Sequence, residues 1–216
     1  MNKMTIGLFL TLTASACLQA NPKLIMLDPA GHAKDTGRQL HHGYERAETY
    51  KCAEVLKRGL EHLDDVRVIL SRTPGEELVP LQNASFANRF NADLVVRLSF
   101  YKETSDKAQI HLYYLQIDPL DDKNRVGQSP FTPINQAHID NIQTSLNYAQ
   151  KLANALSDAS YQALLTCADP KGLPIKPLIG IVSPAILIEI GLPKDDQWQP
   201  LCEALISSLQ KIITSS

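Results

Sequence analysis

Four apolar residues in a row, Leu24-Ile25-Met26-Leu27, stop at Asp28 and give way to Pro29, Gly31 and Gly37. That junction constrains the chain more than any other stretch. An apolar run without polar alternation is how a strand buried on both faces reads. The proline and glycines after it hold the backbone in an irregular loop. In an open parallel sheet the ligand crevice lies just past the carboxyl ends of the strands, so His32 falls where chemistry is carried out. A loop histidine between glycines is equally compatible with simple solvation, and the rest of the chain has to decide.

The period of apolar residues predicts alternating helices and strands. Tyr44 to Leu63 is an amphipathic helix, with Cys52, Val55, Leu56, Leu60 and Leu63 on its buried stripe and Glu45 and Glu48 near that stripe in the first turns. Val66 to Ser71 is a second strand, Arg72 to Glu77 a turn, and Pro80 to Phe90 a helix. Asp93 to Phe100 is a third strand, with Arg97 and Ser99 sharing one face. Gln109 to Ile117 reads as a fourth strand and Asp118 to Ala137 as a long loop. Ile139 to Leu156 carries a helical period, Ala168 to Pro177 is a broken connection, and Leu178 to Val182 reads as a short strand. Pro184 to Gly191 is an apolar strand with Glu189 inside it. A final helix spans Asp196 to Ile213. The expected fold class is α/β: one three-layer domain with a mixed, mostly parallel sheet and helices on both faces.

The 216 residues can bury one sizeable core, and a net charge of −2 lacks the basic excess that binding nucleic acid demands. Residues 1–20 read as a signal peptide. Lys3 supplies the positive start, Ile6 to Leu12 the apolar centre, and Ala14-Ser15-Ala16 a small-residue cleavage site. The apolar centre is too short for a permanent membrane span, so the mature chain, 21–216, is expected to be secreted or periplasmic, without a transmembrane helix. Cys17 after Ala16 raises a lipid anchor as a minor alternative. Cys52, Cys167 and Cys202 allow at most one disulfide, and their wide spacing is unlike a zinc–thiolate motif.

Glu189 is costly where it stands. A buried carboxylate needs a cation, a proton or hydrogen bonds. Both a structural ion pair and a catalytic carboxylate meet that need.

Together, the Asp28-Pro29-Ala30-Gly31-His32 loop, Gly43-Tyr44-Glu45, Ser71-Arg72-Thr73, Ala87-Asn88-Arg89 and Pro184 to Gly191 resemble the zinc-dependent N-acetylmuramoyl-L-alanine amidases that trim bacterial cell walls. The resemblance runs from Lys23 to the C-terminal helix. It implies a peptidoglycan or muropeptide substrate and a zinc ion (Zn2+) held by His32 and Glu45. Glu189 would then be the catalytic general base and acid. Two features depart from the pattern. The family's second histidine falls at Ser99, and a hydroxyl is a poor zinc ligand beside imidazole. In addition, His32 follows Asp28 by four residues rather than three. Two solutions are open. Either His41, His42 or His111 completes a zinc site, or Arg97 takes the place of the metal between Glu45 and Glu189. The first gives an amidase. The second gives a metal-free domain that binds wall fragments or a protein partner.

Overall fold

The computed structural model describes residues 22–79, 81–117, 134–194 and 198–215. The expected signal peptide with Cys17, and most of the expected loop 118–137, lie outside the described residues.

Each strand forms where the sequence lacks helical spacing and can be buried. Strand β1 (Lys23–Pro29) is followed by helix α1 (Glu45–Leu60), β2 (Val66–Leu70), α2 (Gln82–Phe90), β3 (Leu94–Lys102) and β4 (Ala108–Leu115). Helix α3 (Ile142–Leu156), the short β5 (Leu165–Cys167) and β6 (Lys171–Leu173), β7 (Ala185–Leu192) and α4 (Trp198–Thr214) complete the chain. The sheet order is β2-β1-β3-β7-β4-β5, with β6 also paired to β4. β1, β2, β3 and β7 are mutually parallel neighbours, and β4 runs antiparallel to β7. This is the three-layer, mixed and mostly parallel architecture expected.

Alternation along the strands sorts the side chains into two cores. Leu27, Val96, Leu98, Ile186 and Ile188 pack against Cys52 and Leu56 of α1, Leu152 of α3 and Leu205 of α4. Met26, Val95 and Leu187 face the other way, toward Ala84 and Ala87 of α2 and toward Leu178 and Ile181. Helices α1 and α4 lie side by side in the same direction. Trp198 Nε1 donates to Glu48 Oε2 at 2.9 Å near one end, and Gln210 Nε2 donates to the Gly59 carbonyl at 3.0 Å near the other.

Three local expectations change. Leu178 to Val182 is not a strand: a 3-10 turn occupies Lys176–Leu178, and Gly180 has φ +85°. Pro177 has no N–H to give a ladder, and a positive φ leaves the strand region. β5 and β6 went unread because three residues are too short to establish a period. Helix α2 starts at Gln82 rather than Pro80, after Leu81 in the left-handed region at φ 64°.

Candidate active-site rim

The loop after β1 is held by its carbonyls. Arg72 donates from Nε to the Pro29 carbonyl at 3.2 Å, and from Nη2 to those of Ala30 at 3.2 Å and Arg46 at 2.9 Å. Thr49 Oγ1 donates to the Ala30 carbonyl at 3.0 Å, and Arg46 Nη1 to the Ala33 carbonyl at 3.1 Å. The His32 backbone N–H donates to the Asp35 carbonyl at 2.6 Å, while its side-chain Nδ1 is buried with no hydrogen-bond partner.

The loop then folds into a tight hairpin. Gln39 and Tyr44 form an antiparallel bridge, Leu40 N donates to the Gly43 carbonyl at 3.0 Å, and Glu45 N to the Arg38 carbonyl at 2.9 Å. His41 and His42 occupy the tip of this hairpin, and Glu45 leaves its base as the first residue of α1.

The Glu45 side chain is buried, 4% exposed, and three donors from its own chain meet it. Oε1 accepts the Ser99 hydroxyl at 2.6 Å and the Phe100 N–H at 2.8 Å, while Oε2 accepts the Arg38 N–H at 2.9 Å. Gly37 has to be glycine here: its φ is +72°, and a Cβ would stand 2.7 Å from Oε2 of Glu45.

Glu189 lies on β7 between Ser99 of β3 and His111 of β4. Its Oε1 pairs with Arg38 Nη2 at 2.7 Å. Burial first, and then the neighbouring Glu189 carboxylate, raise the Tyr113 phenol above its usual range. The Arg38 guanidinium sits 5.8 Å from the Tyr101 ring centre. Burial, reinforced by a hydrogen bond to Glu103, pushes the Tyr101 phenol up to about 12. The His111 ring lies between Tyr101 and Tyr113, at 6.3 and 6.2 Å.

Arg97 does not take the place foreseen for it. Its Nη1 pairs with Asp28 Oδ2 at 2.5 Å, because register sets Asp28 and Arg97 beside each other on neighbouring strands. Asp28 is fully buried and also accepts the Ser71 hydroxyl at 2.5 Å and, more loosely, Asn83 Nδ2 at 3.3 Å. The cation that reaches Glu189 is Arg38, a residue the sequence reading passed over. The available signal was its position in the loop, seven residues before Glu45.

Zinc in the family manner would need lone pairs of His32, Glu45 and a third ligand turned toward one point. The Glu45 oxygens are instead occupied by N–H and O–H donors. The Ser99 hydroxyl spends its proton on Glu45, and His41 and His42 are at the hairpin tip. Among the described residues, no three His, Cys, Asp or Glu side chains are grouped so as to hold a metal ion.

The mixed sheet, the loop past β1 and the carboxylates of α1 and β7 beside it define an α/β domain of amidase architecture. Residues 25–198 match the family described as N-acetylmuramoyl-L-alanine amidase (Amidase_3), and the chain belongs to that family. No curated protein matches it significantly in sequence. Solved structures share the fold at low identity. An N-acetylmuramoyl-L-alanine amidase from Clostridium difficile 630 is 19% identical with a TM-score of 0.61, covering 91% of this chain and 97% of its own. The amidase AmiC2 of Nostoc punctiforme is 16% identical with a TM-score of 0.64, covering 89% and 97%. The CwlD amidase of Clostridioides difficile, solved in complex with the GerS lipoprotein, is 16% identical with a TM-score of 0.65, covering 90% and 100%. Among the described residues no helix is long and apolar enough to cross a membrane.

Proposed function

We propose that this protein is a metal-free, amidase-derived domain that acts outside the cytoplasm and binds peptidoglycan fragments without hydrolysing them. One observation carries the reading: Arg38 serves both carboxylates of the rim. Its backbone N–H meets Glu45 and its guanidinium meets Glu189. Two carboxylates drawn together without compensation would repel, and one would take up a proton. Glu45 is met by neutral donors and Glu189 by a guanidinium, which supports a rim whose two acids need no divalent ion. A Glu189 carboxylate paired with Arg38 is a weaker base toward water than an uncompensated one. The Arg38 side chain remains half exposed, which leaves guanidinium N–H groups available to the carboxylates and carbonyls of stem peptides. Family membership supports peptidoglycan as the ligand.

A second reading, the zinc-dependent amidase with His32 and Glu45 as ligands and Glu189 as the catalytic acid and base, is favoured by the buried, unpartnered Nδ1 of His32. It requires Glu45 to give up its donors and a third ligand to arrive.

One experiment separates the two. Purified protein is incubated with insoluble sacculi, with and without micromolar zinc, and both sedimented protein and released stem peptide are measured. The expected result is co-sedimentation with no release in either condition, weakened several-fold in Arg38→Ala. Zinc-dependent release of stem peptide that is lost in Glu189→Gln overturns the proposal in favour of hydrolysis. Failure to sediment removes peptidoglycan as the ligand.

A further inference from the structure

Helices α1 and α4 meet at two buried cysteines. Cys52 Sγ and Cys202 Sγ lie 3.9 Å apart, and both residues are almost wholly inaccessible, at 0% and 3% exposure. The contact is fixed from both sides along the helices. One turn earlier, Trp198 is tied to Glu48; further on, Gln210 is tied to the Gly59 carbonyl, where the missing side chain lets Ile206 approach. The partners rise together along the two helices, so the cysteines face each other by register. The rim described above does not use either thiol.

We propose that Cys52 and Cys202 form a disulfide that joins α1 to α4 once the chain meets an external disulfide oxidant, such as oxidised glutathione or a disulfide-exchange protein. The inference is independent of what the rim binds. The compartment expected from the N-terminal segment supplies oxidants of this class.

The chemistry balances as two exchanges. The Cys202 thiolate attacks one sulfur of the oxidant's disulfide, and the other sulfur leaves as a thiolate. The Cys52 thiolate then attacks the Cys202 sulfur of the mixed disulfide and expels the second oxidant sulfur. The two cysteine protons end on the two departing sulfurs, and the two electrons given up by the cysteines reduce the oxidant to a pair of thiols. Either thiolate can attack first with the same balance, since the Cys52–Cys202 contact has no fixed donor. Because the pair is enclosed in the finished fold, the exchange belongs to the stage at which α4 is docking on α1.

The pairing reports the fold rather than chain statistics. In an unfolded chain the shorter loop closes at lower entropic cost, which favours Cys167–Cys202 over Cys52–Cys202. Only the native register reverses that order. Cys167 stands apart near β5, and burial, followed by the charge of Asp169, pushes its thiol up to about 11.

The test refolds the full chain from urea in a buffer of oxidised and reduced glutathione, alkylates residual thiols under denaturing conditions, and maps peptides by mass spectrometry. The expected product is a monomer lighter by two hydrogen atoms, with a Cys52–Cys202 linked peptide and alkylation confined to Cys17 and Cys167. Reductant should lower its unfolding midpoint. Cys167→Ala should form the same link, and oxidation in urea should shift pairing toward Cys167–Cys202. Alkylation of all four cysteines after refolding, or a native link that includes Cys17 or Cys167, overturns the proposal.

Discussion

Replacing Ser99 by alanine removes the shortest of the three hydrogen bonds that hold Glu45. The bond runs from a hydroxyl to a carboxylate at 2.6 Å, and both residues are buried, at 8% and 4% exposure. A hydrogen bond to a charged group contributes about 1.5–3 kcal/mol. Glu45 would keep the N–H groups of Phe100 and Arg38, so the expected loss lies near the middle, at about 2 kcal/mol. For a domain of this size that corresponds to a fall of roughly 4–8 °C in the unfolding midpoint. Urea unfolding at neutral pH measures it directly, with an unchanged slope showing that the folded state keeps its compactness. The same measurement on Glu45→Gln and on the double variant gives the coupling between the two residues, expected to exceed about 1 kcal/mol. A loss under about 0.5 kcal/mol for Ser99→Ala, within the range of ordinary surface substitutions, or strict additivity in the cycle, would mean that Glu45 does not depend on the hydroxyl. Its Oε1 would then rely on the Phe100 N–H alone, and the argument against a zinc ligand at this position would weaken.

Two further outcomes follow from the ion pairs and phenols. Arg97→Ala leaves the fully buried Asp28 without its cation; the expected cost is about 3 kcal/mol, read as a fall in the urea midpoint, and a change below about 1 kcal/mol would show that Ser71 and Asn83 suffice. Absorbance titration should show the Tyr101 phenol ionising near 12 rather than 10. A folded pKa raised above the unfolded one contributes stability that is complete below pH 10 and lost as pH rises through 12. Tyr101→Phe should remove that step from the titration, and its persistence would assign it to another tyrosine.

The architecture was legible because its signals are long. The apolar run before Asp28, the helical stripe of α1 and the apolar strand around Glu189 each span enough residues to fix period and burial. What the sequence hid is short or set by register. β5 and β6 have three residues each, and a proline with a positive-φ glycine turned an apolar stretch at 178–182 into a turn. At the rim, Ser99 donates to Glu45 and stands in register beside Glu189. Choosing the compensating cation required the pairing of β1 with β3. Once Asp28 stands beside Arg97, that guanidinium is spent, and a loop arginine with no periodic pattern to mark it takes the other acid.

The hairpin from Arg38 to Glu45 ties two distant parts of the molecule to one short piece of backbone. A slip of its register would pull the amide away from Glu45 and the guanidinium away from Glu189 in the same movement. Each acid would lose its Arg38 partner in that one movement, so the two halves of the rim weaken together.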